Sequence, residues 1–280
     1  MKKTIKLPLF QIDAFADEPF TGNAAAVCPL EAWLPDVTMQ AIAAENNLSE
    51  TAFFAPEGNG FRIRWFTPTL EVPLCGHATL AAAWCIFNEL GYDKERINFQ
   101  SQSGPLVVER QKNLIVLDFP ADPPVPCEPP EALVEAFGGV RPVECLKAMD
   151  YMAVFKDEDK VAGAEPDLEA LKKLGLRGVI ITARSEEGEG CGAGDGAGEK
   201  YDFVSRFFAP KYGINEDPVT GSAYTQLAPY WAVKTGRGKL ASRQLSPRGG
   251  RVICELKGER VLIAGKAQKY MEGTIEVKTP

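Results

Sequence analysis

"RWFTPTLEVPLCGHAT", Arg64 to Thr79, has a counterpart near the other end of the chain in "RFFAPKYGINEDPVTGSAYT", Arg206 to Thr225. Both open on Arg-aromatic-Phe-x-Pro and run through an acidic, valine-containing loop. Both then reach a glycine followed by an imidazole or a small polar side chain, and both lead into an Ala-rich apolar segment. A chain that writes strand, loop and helix start twice reads as two αβ halves of similar plan, each needing its own buried face. The expected fold class is therefore α/β with mixed sheets: two pseudo-symmetric domains, each with a central helix wrapped by a mixed β-sheet.

The flanking sequence supports that reading. "IKLPLFQIDAF" and "GNAAAVCPL" read as strands across the turn "ADEPFT", and "PDVTMQAIAAENN" reads as a helix opened by Pro35 and Asp36. "ETAFFAP" and "GFRIRWF" make a hairpin over a Pro-Glu-Gly-Asn-Gly turn. "TLAAAWCIFNELG" is apolar on nearly every face, which predicts a buried helix with Gly91 as its C-terminal cap. "GPLVVERQKNLIVLDFPA" predicts a further hairpin.

Prolines in "DPPVPCEPP" mark a linker, so the domains are placed at 1–118, completed by a C-terminal strand at about 268–280, and at 119–267. The second half then reads as helix "PEALVEAFGG", strand "YMAVFK", helix "EPDLEALKKLG" and strand "GVIITA". A Gly- and acid-rich surface loop over 185–200 follows, then strand "YDFVSRFF" and helix "SAYTQLAPYWAVKTG". Pro229 inside that last helix predicts a kink, or a neighbour that takes up the carbonyl freed one turn back. The tail "RVICELKGERVLIAGKAQKYMEGTIEV" predicts more strands.

Bulk numbers exclude several function classes. The chain has 280 residues, 45% hydrophobic and 25% charged, which is ordinary for a globular protein with a sizeable core. A net charge of -7 argues against non-specific nucleic-acid binding and gives no polybasic face for a membrane. No run approaches membrane-spanning length, and "MKKTIKLPLFQIDAF" lacks the apolar core of a signal peptide. Seven cysteines without a C-x-x-C pair, and one histidine, point to reduced thiols in the cytoplasm with no zinc site.

Chemistry is expected at the two glycine turns. In Gly76-His77-Ala78 the glycine admits a ligand close to the backbone, and the helix that follows aims free N–H groups and positive potential at a carboxylate. Gly221-Ser222-Ala223 offers the same in the second copy, with Ser222 either capping its own helix or donating to a ligand. His77 is the single imidazole; the helix dipole favours its neutral form, able to pass a proton either way. Cys75 is either a thiolate stabilised by the helix start or a small buried hydrophobe. Asp217 lies four residues before Gly221, and Glu50 stands between a helix and a strand in "ENNLSETAFF". On residue type alone Glu45 competes with Glu50 for the role of an acid/base, and "SET" at such a junction equally suits a capping motif. The "SEEGEGCGAGDGAGEK" loop does not suit phosphate, since acidic side chains crowd it and no Lys-Ser/Thr pair follows.

Taken together, "QIDAFADEPFTGNAAAV", "NLSETAFF", "RWFTPTLEVPLCGHATLAAAW", "YDFVSRFFAPKYGINEDPVTGSA" and "QLSPRGG" resemble the phenazine-biosynthesis isomerase (PhzF-like) family over Gln11 to Gly250. The resemblance implies the diaminopimelate-epimerase-like fold, with the site in the cleft between two αβ domains. It implies Glu50 as the acid/base that takes a proton from a substrate carbon and returns it elsewhere. His77 and Asp217 would assist, and Gly76, Cys75, Gly221 and Ser222 would bind the substrate. The implied substrate is a small unsaturated or amino carboxylic acid, with no metal or organic cofactor and with homodimers as the assembly. Pro73 and Tyr224 depart from the family pattern at positions expected to flank the site, where an aspartate and a histidine are common. The rival readings are a cysteine-dependent epimerase or racemase built on Cys75, and a binding scaffold without catalysis.

Overall fold

The computed structural model describes residues 4–186 and 200–278. The predicted surface loop at 185–200 lies outside the described residues over 187–199. Two compact units divide the chain. The first holds the residues up to Asp118 together with the chain from Ala264 onward, and the second runs from Phe119 to Ile263.

In the first unit the strand Thr4–Ala14 pairs antiparallel with Ala267–Lys278 on one side and with Asn23–Pro29 on the other. Asn23–Pro29 runs parallel to Glu50–Glu57, which is antiparallel to Gly60–Phe66. Gly60–Phe66 is parallel to Arg96–Ser101, which is antiparallel to Gly104–Gln111, and Leu114–Pro120 closes the series. The helix Gly76–Asn88 packs on several of these strands, with eleven of its thirteen residues buried, as its apolar sequence requires. The helix Asp36–Asn46 covers another part of the sheet through Met39, Ile42 and Ala43.

The second unit repeats the pairings in the same order. Glu144–Lys147 is antiparallel to Tyr151–Val154, which is parallel to Val179–Arg184. Next come an antiparallel step to Phe203–Ala209, a parallel one to Lys239–Gln244 and an antiparallel one to Gly250–Lys257. The helix Tyr224–Thr235 occupies the place that Gly76–Asn88 holds in the first unit, between the strands of the second parallel step. Its Trp231 stacks on Phe203 at 5.3 Å and donates its indole N–H to Thr182 Oγ1. The doubled sequence is thus a doubled αβ plan, with strands such as Phe203–Ala209 buried on both faces and reading as near-continuous apolar runs.

The repeated Arg-aromatic-Phe opening has a structural use. Arg64 forks onto Glu71 at 2.8 and 2.6 Å while its guanidinium lies 5.1 Å from the Phe66 ring. Arg206 forks onto Glu216 at 2.7 and 2.9 Å and lies 5.1 Å from Phe208. Residues two apart on a strand share a face, so arginine and phenylalanine stack there while the fork ties down the acidic loop that follows. Arg206 Nη1 also donates to the carbonyls of Val161, Ala162 and Ala164.

Other expectations divide. The carbonyl that Pro229 frees is that of Thr225, and the Asp122 N–H donates to it at 3.0 Å. Gly236 ends that helix in the left-handed conformation at φ 71°. Gly91 is not the cap of the earlier helix, which stops at Asn88 with Glu89 as its last half-turn. Tyr92 is instead turned back onto Phe87 and Phe61, which takes the chain out of the helix early. The strands Arg96–Ser101 and Glu144–Lys147 and the helix Glu158–Ala162 were not anticipated. No helix of the described residues is long and apolar enough to cross a membrane.

Candidate active site

A tight turn and two parallel strands deliver the first group of side chains. Gly22 closes the turn at φ 67°, where an added Cβ would fall 2.2 Å from the Ala14 carbonyl oxygen, so a side chain has no room. Asn23 then starts its strand, and two residues on Ala25 lies opposite Glu50 in the parallel register. Asn23 and Ala25 share one face, and the helix Gly76–Asn88 packs against their strand, bringing its second residue, His77, alongside.

His77 is 5% exposed, Glu50 8% and Cys75 8%. The ring Nε2 lies 3.1 Å from Glu50 Oε2. Its Nδ1 lies 3.2 Å from Asn23 Nδ2 and 3.5 Å from Cys75 Sγ. The Asn23 side-chain amide thus faces Nδ1, and Nε2 faces the glutamate. Glu50 Oε2 and His77 Nε2 are near enough to attract but out of line for a hydrogen bond, so each keeps bonding capacity that the protein does not use. The amides of Gly76 and His77 open the helix and have no carbonyl behind them within it. Glu45, the competing carboxylate, is exposed on its helix.

Electrostatics here reverse one sequence expectation and decide between the two readings of Cys75. Burial works against a charged His77 ring, but the neighbouring Cys75 and Glu50 outweigh it and hold the pKa well above the ordinary imidazole value. The helix dipole, which argued for a neutral ring, is a weaker influence than a carboxylate at 3.1 Å. Burial also pushes the Cys75 thiol up to about 11, helped by Glu50, so Cys75 is no stabilised thiolate at neutral pH.

The His77 reversal sets a pH dependence. With a folded pKa above the unfolded value of about 6.5, His77 stabilises fully below that pH, and the contribution is lost as pH rises through the folded value. His77→Gln should therefore cost more stability at pH 6 than at pH 10, read as the gap between urea midpoints of the two proteins at each pH.

Among the described residues Glu50, Cys75 and His77 form the donor group compact enough to hold a metal ion, their ligand atoms all within 4.8 Å of one another. Both ring nitrogens face protein groups, Nε2 toward Glu50 without a hydrogen bond and Nδ1 toward Asn23 and Cys75.

Asp217, Gly221 and Ser222 belong to the second unit. Asp217 is 8% exposed, and its Oδ2 accepts from Thr220 Oγ1 at 2.6 Å. Gln244 locks the same loop, donating to the Asp217 carbonyl at 2.7 Å and accepting the Thr220 N–H at 2.9 Å. Gly221 opens a 3-10 turn, Gly221–Ala223, and the α-helix begins only at Tyr224. Of the two roles open to Ser222, its side chain does not cap the helix, and its Oγ accepts from Arg177 Nη2 at 3.0 Å. Arg177 is itself forked onto the fully buried Asp150 at 2.9 and 2.6 Å, and Asp150 also accepts from Gln226 Nε2.

The two departures from the family pattern differ in kind. Pro73 is exposed, and its carbonyl accepts the Ser103 hydroxyl. Tyr224 is fully buried, packed near Phe203, with its hydroxyl 3.0 Å from Ser242 Oγ. Asn23, Asp150, Arg177 and Gln244 escaped the sequence reading. Asn23 had a signal, an amide directly after the glycine of a tight turn; Gln244 opens the quoted stretch "QLSPRGG", Arg177 stood as a lone cation before an apolar strand, and Asp150 had none.

The family model described as "Phenazine biosynthesis-like protein" (PhzC-PhzF) matches residues 12–273. An "uncharacterized isomerase" of Pseudomonas aeruginosa is 50% identical over 273 residues, spanning 98% of this chain and 100% of that protein. The crystal structure of a PhzF-family phenazine biosynthesis protein from Enterococcus faecalis superposes with a TM-score of 0.90 at 45% identity, covering 97% of this chain and 99% of that one. A Pseudomonas aeruginosa protein described as a predicted epimerase shares the fold at a TM-score of 0.71 and 24% identity, over 96% of this chain and 99% of its own.

Proposed function

The chain belongs to the phenazine biosynthesis-like (PhzC-PhzF) family, and from that membership we propose an isomerase that moves a proton on a small unsaturated or amino carboxylic acid. The observation that carries this reading is the buried Glu50 carboxylate, 3.1 Å from His77 Nε2 at the start of the helix Gly76–Asn88. Glu50 takes a proton from a substrate carbon and returns it at another position. Such positioned acid/base groups contribute roughly 10²–10⁴-fold. Negative charge that develops on the substrate is met by fixed donors, the amides of Gly76 and His77 and the ring N–H, each of the kind worth about 3–4 kcal/mol in a dry site. His77 holds the proton inventory steady, since a ring with its pKa raised neutralises Glu50 without leaving it. In the second unit Asp217 assists proton movement and Gly221 with Ser222 binds polar groups of the substrate, as the resemblance implies.

A cysteine-dependent epimerase is the rival chemistry, and the high thiol pKa of Cys75 speaks against it. The deciding experiment incubates the protein in deuterated water with a panel of small amino and unsaturated carboxylic acids and reads deuterium bound to carbon by mass spectrometry. Exchange should appear with at least one acid, and Cys75→Ala should keep it within about tenfold of the parent. Loss of exchange in Cys75→Ala would move the reading to the thiol route. Binding of acids with no exchange would reduce the protein to a scaffold.

A further inference from the structure

A pair of thiols in the second unit stands outside the proposed chemistry. The short strand Val125–Pro126 pairs antiparallel with Glu144–Lys147, Val125 opposite Lys147 and Pro126 opposite Leu146. One further step of that register sets Cys127 opposite Cys145, and the Cys127 N–H donates to the Cys145 carbonyl at 2.9 Å. Their sulfurs are 3.7 Å apart. Opposed residues in an antiparallel pair have Cα atoms about 4.5–5.5 Å apart, inside the range of about 4.4–6.8 Å that disulfides span. Closing the sulfurs to bonding distance therefore asks for side-chain rotation and no shift of the strands. Access is graded in the order a relay needs: Cys127 is half-buried, while Cys145 is buried in the core with Ala153 and Phe155.

We propose that Cys127 and Cys145 are a reversible oxidation site, converted to an intramolecular disulfide by a small-molecule disulfide of the glutathione class. The Cys127 thiolate attacks one sulfur of the oxidant, forming a mixed disulfide and releasing one small thiol. The Cys145 sulfur, after giving its proton to solvent, then attacks Cys127 Sγ and expels the second small thiol. Two protein thiols are oxidised, one small disulfide is reduced to two thiols, and the balance is closed.

Burial, with Cys127 alongside, pushes the Cys145 thiol up to about 12. The second step is then the slow one, and its rate rises roughly tenfold per pH unit between 7 and 9, as the thiolate fraction does. The link would close the chain over residues 128–144. It would also pin the two segments that lead to Asp122, whose N–H fills the Pro229 gap, and to Asp150, which holds Arg177.

The test treats the full chain with oxidised glutathione at pH 8 and maps its cysteines by peptide mass spectrometry without reduction. The expected product is a Cys127–Cys145 linked peptide that dithiothreitol reverses, from a protein melting roughly 5–10 °C above its reduced form. In Cys127→Ser, Cys145 should stay a free thiol under the same treatment. The proposal is overturned if Cys127 joins another cysteine, if its glutathione adduct persists beside a free Cys145, if both thiols stay free, or if the linked protein melts no higher.

Discussion

Glu50→Gln should fold, melt within a few degrees of the parent and still bind its acid, yet lose carbon–proton exchange by about 10³-fold. The amide keeps the shape of the carboxylate but can neither take nor return a proton at neutral pH. Binding survives because the helix amides of Gly76 and His77 are main-chain groups that the substitution leaves in place. The parallel change Glu45→Gln, at an exposed carboxylate five residues away, should leave exchange within twofold of the parent. The measurement is deuterium incorporation per unit time at saturating acid, with circular dichroism melts run alongside. A Glu50→Gln protein that exchanges at near-parental rate would end the assignment of Glu50 as the proton carrier.

The largest effect on stability is expected from Arg206→Met. This guanidinium is 9% exposed and serves Glu216 and three backbone carbonyls at once. Removing it strands a half-buried carboxylate and leaves those carbonyls to find other donors, a loss of about 3–5 kcal/mol. For a unit of this size that is on the order of 10 °C in melting temperature. The twin change Arg64→Met should cost less, about 1–2 kcal/mol, because the Arg64 side chain is 21% exposed and one of its partners, Asp36, is 73% exposed. Differential scanning calorimetry on the two variants reads this ordering directly. Equal losses at the two sites would show that burial does not set the worth of these forks. The double change Arg206→Met with Glu216→Leu should recover part of the loss, since it removes the stranded charge as well.

How far the chain could be read beforehand follows from what each residue's neighbours are. The helices Gly76–Asn88 and Tyr224–Thr235 were legible because burial on every side leaves an apolar record along the chain. Glu50 could not be chosen over Glu45 from residue type, since what separates them is tertiary: the parallel register buries Glu50 beside Ala25, while Glu45 lies on the solvent face of the helix Asp36–Asn46. Which of the two readings of Cys75 holds was not legible, since its burial and the carboxylate brought in from another strand are both set by tertiary packing. Arg177 was missed for the same reason: its partners Asp150 and Ser222 lie 27 and 45 residues away. The burial of the Tyr224 ring was not legible, since a tyrosine after a glycine turn suits surface and interior alike. The strand Arg96–Ser101 was legible and passed over, since its Ile97 and Phe99 alternate with polar residues in the manner of a half-buried strand.

One pairing also governs the order in which the molecule can mature. The register that matches Thr4 with Lys278 means that the amino-terminal unit lacks the strand Ala267–Lys278 until the chain beyond Ile263 has emerged from the ribosome. The other unit is contiguous, from Phe119 to Ile263, and needs no strand from beyond Ile263. During translation, then, the half carrying Ser222 is the one able to collapse first, and the half carrying Glu50 is finished last.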